Sequence, residues 1–215
     1  MGVYILTSMF QNGFDKSISS CLDKIITQRN RFAFVASEFE KDYEKTDRYF
    51  RKFLKMFEQT GINFVNAYVV DGRMSFEEAQ NAVRDADVVW LSGGDSPAQF
   101  RYFVEYRLDK IIKEHSGVII GMSAGAINLA TTSICTLASG HDTQSIYAGL
   151  GCVKISIEPH FNSVDISSEL LKLSDRYLIY GMCDESMIVC TEDRMEFYGN
   201  IYRLANGSVE IINKI

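Results

Sequence analysis

Runs of apolar, β-branched residues alternate with amphipathic runs along most of the chain. The strand-like runs cover residues 3–6, 31–36, 62–70, 87–91, 117–122, 152–157 and 177–182. Between them, apolar side chains recur every three or four residues, which predicts helices over 18–26, 50–57, 75–85, 96–115, 124–134 and 167–176. Strands that alternate with helices in this way predict a mostly parallel sheet that helices cover on both faces.

Local signals mark the ends of several of these elements. The segment 75–78 (SFEE) has the spacing of a capping box, and 96–99 (SPAQ) repeats it with a proline at the first helical position. Near the C-terminus, Asn206-Gly207 is a strong hairpin signal. We therefore predict an α/β fold in a single domain over residues 1–215, a three-layer sandwich whose mostly parallel sheet has a small antiparallel C-terminal margin.

The composition argues against several classes of function. The net charge is −6 and the basic residues are interspersed with acidic ones, so we expect no nucleic-acid partner. No window reaches the ~18 apolar residues of a membrane span and the N-terminus lacks a basic leader, which predicts a cytoplasmic protein with no membrane partner. The five cysteines lack metal-binding spacing, so we expect reduced core thiols, no metal site and no cofactor.

The segment 117–126 (GVIIGMSAGA) places a serine between two glycines at the end of an apolar run. In Gly121-x-Ser123-x-Gly125 the spacing is that of a nucleophile elbow, a strained strand-to-helix turn at which larger flanking side chains would collide. The predicted strand before it and the small-residue helix after it supply the context that this motif needs. Small residues selected for close packing between helix and sheet are the alternative interpretation.

A serine nucleophile needs a base, and the chain has three histidines. His115 ends a predicted helix among charged residues, which favours an exposed position, and His141 lies in a polar, solvated loop beside Asp142. His160 directly follows a predicted strand, so we expect it at the same sheet edge as Ser123. A core histidine that is satisfied by backbone groups is the alternative for His160.

A third group should hold the imidazole in one tautomer and support its charge. Asp184 and Glu185 directly follow the predicted strand 177–182, which makes them the first candidates for this acid. Asp142 is the competing candidate. Acidic residues that simply begin a solvated turn are the alternative interpretation of the pair.

Backbone amides that could bind an oxyanion come from two further places. Ala124 follows the candidate nucleophile, and the glycine turn 92–95 (SGGD) follows another predicted strand. A phosphate cradle is the rival interpretation of that turn, but the turn lacks the lysine of a P-loop, and Asp95 would repel phosphate. The sequence thus predicts a serine, a histidine, an acid and a glycine turn at one edge of one sheet.

These residues match a known pattern, because the sequence resembles the aspartyl dipeptidase (peptidase E) family of serine peptidases, which also includes cyanophycinase. The likeness spans nearly the whole chain and is sharpest at VVWLSGGD, IIGMSAGA, IEPHF and YGMCDES. It implies a fold similar to that of class I glutamine amidotransferases, in which the elbow residue is cysteine. Serine at this place favours peptide hydrolysis over glutamine-dependent amide transfer, and the order serine, histidine, acid differs from that of α/β-hydrolase esterases.

Carried over residue by residue, the resemblance implies six site positions: nucleophile Ser123, base His160, oxyanion-hole amides Gly94 and Ala124, and acid Asp184 with Glu185 next in line. Asp95 stands where aspartyl dipeptidases typically carry asparagine. The segment after IEPHF is also shorter and poorer in arginine than the one those enzymes are thought to use on the substrate's aspartate. We therefore predict that a positively charged group is received near Asp95, either an α-ammonium or a basic side chain as in cyanophycin-like substrates.

The predicted function is a serine dipeptidase or exopeptidase that hydrolyses short peptides through an acyl-enzyme on Ser123. Two alternatives stay open: a non-catalytic member of the fold that binds a small ligand, and an esterase or amidase that acts on non-peptide acyl groups. The expected partner is the short peptide substrate. The aromatic segment 100–106 (FRYFVEY) favours core packing, with the interface of a homodimer as the alternative.

Overall fold

A computed structural model describes residues 2–214 of the chain. Its helices are α1 (Lys16–Ile25), α2 (Tyr43–Gln59), α3 (Phe76–Arg84), α4 (Ser96–Glu105), α5 (Leu108–Glu114), α6 (Ala124–Leu129) and α7 (Ser168–Ser174). Its strands are β1 (Val3–Thr7), β2 (Arg31–Val35), β3 (Asn66–Val70), β4 (Val88–Leu91), β5 (Val118–Met122), β6 (Thr132–Cys135), β7 (Ser145–Ala148), β8 (Ser156–Pro159), β9 (Ile179–Met182), β10 (Met187–Cys190), β11 (Met195–Tyr198), β12 (Ile201–Ala205) and β13 (Ser208–Asn213). As far as α4, strands and helices alternate one by one, as the hydrophobic pattern predicts.

The central sheet has seven strands in the order β11-β10-β1-β5-β4-β2-β3. The strands from β1 to β3 in this order are parallel, whereas β10 and β11 form an antiparallel margin. Side chains alternate between the two faces: Phe32 and Phe34 pack with α1 and α2, and Ala33 and Val35 pack with the layer of α3 to α6. The predicted three-layer sandwich with a C-terminal antiparallel margin is therefore confirmed.

The strands that precede His160 and Asp184 lie outside this central sheet. β8 and β9 are parallel neighbours in a separate four-stranded sheet, β13-β12-β9-β8, and β6 and β7 form a two-stranded sheet. The prediction that one edge of one sheet carries all the candidate residues is therefore wrong. A buried apolar run shows that a strand has hydrophobic neighbours but does not identify its partner strand, so the sequence could not separate the two sheets.

Several predicted elements are shorter than the apolar pattern indicates. The strand predicted over 62–70 begins only at Asn66. The helix predicted over 124–134 ends at Leu129, and the chain then forms β6 from Thr132. The strand predicted over 152–157 begins only at Ser156. Most residues of segments 124–134 and 152–157 are buried whether they are helical or extended, so hydrophobic character alone could not place the boundaries.

The long helix predicted over 96–115 is two helices, α4 and α5, separated near Arg107, whose φ of 56° lies in the left-handed region. The N-cap of α4 is Asp95 and not Ser96, because the Asp95 carboxylate accepts a hydrogen bond from the Ala98 amide at 2.8 Å. Three of the four aromatic side chains in segment 100–106, those of Tyr102, Phe103 and Tyr106, are buried, as the preference for the core predicts.

Other local signals are confirmed. The side chain of Ser75 and that of Glu78 make the reciprocal hydrogen bonds of a capping box at the start of α3. Asn206 and Gly207 both have positive φ and join β12 to β13 as a two-residue hairpin turn.

All five cysteines are free thiols. Within residues 2–214, no helix combines the length and apolar character needed to cross a membrane.

Candidate active site

Ser123 lies at the turn between β5 and α6. Its φ of 49° and ψ of −105° are strained for a residue other than glycine. A Cβ atom at Gly121 would lie 2.6 Å from the Gly125 backbone, and one at Gly125 would overlap the Leu91 carbonyl oxygen. The two glycines are therefore required by the close approach of helix and strand, and they permit the sharp turn that presents Ser123 to a cavity.

Two side chains from the second sheet form a hydrogen-bonded chain with Ser123. His160 follows β8, and its Nε2 lies 3.1 Å from Ser123 Oγ. Asp184 follows β9, and its Oδ1 lies 2.7 Å from His160 Nδ1. Because an ionised carboxylate can only accept, we assign the proton of His160 to Nδ1, which leaves Nε2 to accept the Ser123 hydroxyl. This order and tautomer suit a nucleophile, a base and an orienting acid.

The other candidate acids are separate from this chain of hydrogen bonds. Glu185 Oε1 accepts from the backbone amides of Gln11 and Asn12, at 2.8 and 3.4 Å. Asp142 is exposed in the loop between β6 and β7. Within the described part of the chain, Asp184 alone supplies a carboxylate to His160.

The two remaining histidines differ from their predicted surroundings. His115 is buried: its Nε2 donates to the Ala86 carbonyl at 2.9 Å, and its Nδ1 accepts from the Gly117 amide at 3.0 Å. The predicted exposed position is wrong, and burial lowers the pKa of this imidazole. His141 is half-buried, with its Nε2 3.2 Å from Ser96 Oγ, and is not in a solvated position as predicted.

Among residues 2–214, no group of three or more His, Cys, Asp and Glu side chains is arranged to hold a metal ion.

Ser8, which the sequence analysis missed, connects the histidine to the acid. Its buried hydroxyl donates to Asp184 Oδ1 at 2.8 Å and accepts from the His160 amide at 2.9 Å. Asp184 Oδ1 also accepts from the Met9 amide at 3.3 Å. Ser8 directly follows β1, so the end of a central strand holds the two residues from the second sheet. It is 152 positions from His160 and 176 from Asp184, and no local motif could reveal this contact.

Ser123 and His160 line a cavity of about 300 Å³, and the glycine turn after β4 forms part of its wall. Gly94 in that turn has a φ of 149°, and a Cβ atom there would overlap Ser37 Oγ, so no other residue fits without a shift. Ala124 is the first residue of α6, where backbone amides have no partner within the helix. The two predicted oxyanion-hole residues thus lie at the turns that flank Ser123.

Asp95 has a structural contact instead of a place in the cavity wall. Its carboxylate caps α4, and it is not among the described residues that line the cavity. Apart from His160, the side chains of that wall that carry a formal charge are Glu38, Asp42 and Lys45. These three precede or begin α2 and belong to no motif, which is why the sequence analysis did not single them out.

Glu158 lies in β8, two positions before His160, and is almost completely buried. Its Oε1 accepts from the Thr136 hydroxyl at 2.7 Å, whereas its Oε2 has no hydrogen-bond partner among the described residues. Burial raises the pKa of this carboxyl to about 7, although the Thr136 hydrogen bond opposes the rise. The fold therefore favours the protonated form of Glu158.

We expect Glu158→Gln to stabilise the protein at alkaline pH. The unfolded chain ionises Glu158 near the ordinary value of 4.5 and the folded chain only near 7, so the stability of the wild type falls as the pH rises through this window. The variant should be more stable by on the order of 2 kcal/mol at about pH 8, and similar to the wild type near pH 4.5. Urea denaturation at both pH values measures this. The exposed Glu192→Gln is the control, and an equal gain at both pH values would contradict the account.

The chain is similar to known proteins both in sequence and in fold. The sequence matches the model of peptidase family S51 over residues 5–198. A comparison with curated protein sequences found no match. The fold is similar to that of a peptidase from an acI-B1 Actinobacterium, with a TM-score of 0.71 and 16% identity over 99% of this chain and 94% of the other. It is also similar to that of a candidate peptidase E protein from Listeria monocytogenes EGD-e, with a TM-score of 0.68 and 18% identity over 92% of this chain and 98% of the other.

The two solved structures share the fold at low identity, whereas the family match rests on the sequence itself. That match includes the elbow at Ser123 and the segments that carry His160 and Asp184. The resemblance to the aspartyl dipeptidase family is thereby confirmed. The chain belongs to peptidase family S51, a family of serine peptidases.

Proposed function

We propose that the protein is a dipeptidase or exopeptidase that hydrolyses short peptides through an acyl-enzyme on Ser123. The hydrogen-bonded chain from Ser123 through His160 to Asp184 is the observation that carries this proposal. At 3.1 Å, His160 Nε2 is within reach of the hydroxyl proton, which is the distance that general base catalysis requires. The strained elbow exposes that hydroxyl to a cavity and not to packed hydrocarbon.

The reaction has two halves. Ser123 Oγ attacks the scissile carbonyl while His160 takes its proton, and His160 then returns the proton to the leaving amine as the C–N bond breaks. A water molecule next attacks the acyl ester while His160 takes a proton from it, and the ester C–O bond then breaks as His160 returns the proton to Ser123 Oγ. Asp184 holds the imidazole in the required tautomer and stabilises the imidazolium that forms in each half.

The amides of Gly94 and Ala124 are proposed to bind the oxyanion of each tetrahedral intermediate. Their places support this role, because Gly94 lines the cavity with Ser123, and Ala124 begins the helix that follows the nucleophile. The cavity of about 300 Å³ lies at the small end of the range for ligand sites, which favours short peptides over protein substrates.

Digestion of a dipeptide library by the wild type and by Ser123→Ala tests the proposal. We expect the wild type to release free amino acids from a subset of the library and the variant to release none above background. Release by both proteins would contradict the role of Ser123. Cleavage of p-nitrophenyl esters without cleavage of any peptide would indicate an esterase instead.

Ser8→Ala should reduce peptidase activity by loosening the histidine and the acid. The variant keeps all three reacting groups but loses the hydroxyl that contacts both Asp184 and the His160 amide. We expect kcat to fall about 10-fold with KM nearly unchanged, because orientation and not substrate binding is affected. Steady-state kinetics measure the change.

Ser133→Ala is the control, because it removes another buried hydroxyl, which donates to the Ile127 carbonyl. Its kcat should stay within about twofold of the wild type. An equal loss of kcat in both variants would contradict a specific role for Ser8.

A further inference from the structure

The cavity beside Ser123 contains a carboxylate that the proposed chemistry does not use. Glu38 lies between β2 and α2 and lines the cavity together with Ser123 and His160. Its side chain is 23% exposed, so it faces the cavity from a largely buried position. A partly buried carboxylate in a substrate cavity is well placed to bind a cation, because the low dielectric around it strengthens a direct contact.

The Glu38 carboxylate is held in place by a rigid neighbour. The Tyr102 hydroxyl donates to Oε1 at 2.6 Å, and the Glu40 amide adds a second hydrogen bond at 3.4 Å. Tyr102 is only 2% exposed, and its ring stacks on that of buried Phe39 at a centroid distance of 4.8 Å. Oε1 is therefore committed to the protein, whereas Oε2 is the oxygen that can receive a ligand.

Glu38 is charged at neutral pH. Burial acts to raise its pKa, but the hydrogen bonds from Tyr102 and Glu40 and the charges of Lys41 and Arg101 together hold the pKa below its ordinary value. Lys41 Nζ lies 3.7 Å from Oε2, but its side chain is 72% exposed. Such a surface ion pair is weak, so a cationic ligand can replace Lys41.

The other charges around the cavity are of both signs. Asp42 and Lys45 accompany Glu38 in the wall, which therefore carries two carboxylates and one ammonium group. Outside the wall, Lys41 and Arg101 add positive charge near Glu38, so selection of a cation depends on the direct contact with Oε2 and not on the summed charge. Asp95, which the sequence indicated for this task, already uses its carboxylate to cap α4.

On the basis of the proposed peptidase function, we propose that Glu38 Oε2 binds the positively charged group of the substrate, and that this contact selects peptides with a free α-ammonium or a basic side chain. Glu38 would then determine specificity without touching the reacting atoms. A purely structural role, tying the segment before α2 to Tyr102, requires only an acceptor at Oε1, and an uncharged glutamine would fulfil it.

The test compares Glu38→Gln with the wild type on matched peptides. Ala-Ala against N-acetyl-Ala-Ala isolates the α-ammonium, and N-acetyl-Lys-Ala against N-acetyl-Ala-Ala isolates a basic side chain. We expect kcat/KM for the charged member of one pair to fall about 10- to 100-fold, the loss expected for one charge-assisted hydrogen bond, with little change for N-acetyl-Ala-Ala. The rate at which a neutral fluorophosphonate labels Ser123 should stay the same.

Glu40→Gln makes the same charge change on the same segment, outside the cavity wall, and is the matched control. The inference would be overturned if Glu38→Gln kept the wild-type preference for the charged peptide of each pair. It would also be overturned if the variant lost kcat/KM equally on every peptide and was labelled more slowly at Ser123, because those changes indicate a structural role. A loss of preference in Asp42→Asn but not in Glu38→Gln would overturn it as well. If the wild type shows neither labelling nor cleavage, the proposed function itself is refuted, and this inference falls with it.

Discussion

Replacing Ser123 by alanine is expected to lower kcat/KM for dipeptide hydrolysis by about 10⁴- to 10⁶-fold, the range for loss of a serine nucleophile. Alanine keeps the Cβ atom at the elbow and removes only the oxygen, so the fold should be retained. Steady-state kinetics, with thermal denaturation to confirm folding, measure this result. Ser139→Ala is the matched control because it removes another serine hydroxyl from the same cavity wall, and its activity should stay within a few-fold of the wild type.

His160 is expected to act together with Ser123. His160→Ala should cost about as much activity as Ser123→Ala, and the double variant should be no worse than either, because nucleophile and base act as one unit. Additive losses would show that the two side chains act separately. Residual activity above about 1% in Ser123→Ala would contradict its role as nucleophile.

Asp184→Asn is expected to reduce kcat by about 10²- to 10⁴-fold with a much smaller change in KM. Asp184 Oδ1 accepts from the Ser8 hydroxyl and the Met9 amide as well as from His160 Nδ1, so the asparagine oxygen should keep this place. The variant therefore loses the negative charge that stabilises the imidazolium, while the arrangement of the site is preserved. Single-turnover kinetics on a dipeptide would place the loss in the acylation step.

Glu185→Gln provides the matched control for that prediction. Glutamine retains the acceptor oxygen that Glu185 offers to the amides of Gln11 and Asn12, so kcat should stay within a few-fold of the wild type. The opposite result, with Glu185→Gln inactive and Asp184→Asn active, would assign the acid to the neighbouring residue that the resemblance placed second.

The part of the site that could be predicted from sequence is the part that depends on local geometry. Gly121 and Gly125 are needed because helix and strand approach closely within a few residues of Ser123, and this need is visible as a short motif. The capping box at Ser75 and the hairpin turn after β12 were predictable for the same reason. The clash at Gly121, the capping box and the hairpin turn each depend on sterics or hydrogen bonds within about one turn of the chain, whereas the clash at Gly125 is with Leu91 in β4.

The part that could not be predicted depends on contacts between distant segments. Nothing local distinguishes β8 and β9 from strands of the central sheet, and nothing near Ser8 indicates that its hydroxyl joins His160 to Asp184. His115 was predicted to be exposed because its neighbours in the sequence are charged, but its ring is buried and makes hydrogen bonds with backbone groups. Glu38 has no motif, and only the cavity shows where it lies.

The central claim is that His160 activates the Ser123 hydroxyl for attack on an acyl group. A fluorophosphonate probe tests it most directly, because the probe reacts with an activated serine and spares a packing serine. Mass spectrometry of the labelled protein should find the adduct on Ser123 in the wild type and no adduct in His160→Ala. An unlabelled wild type, an adduct on another serine, or labelling that persists without His160 would contradict the account.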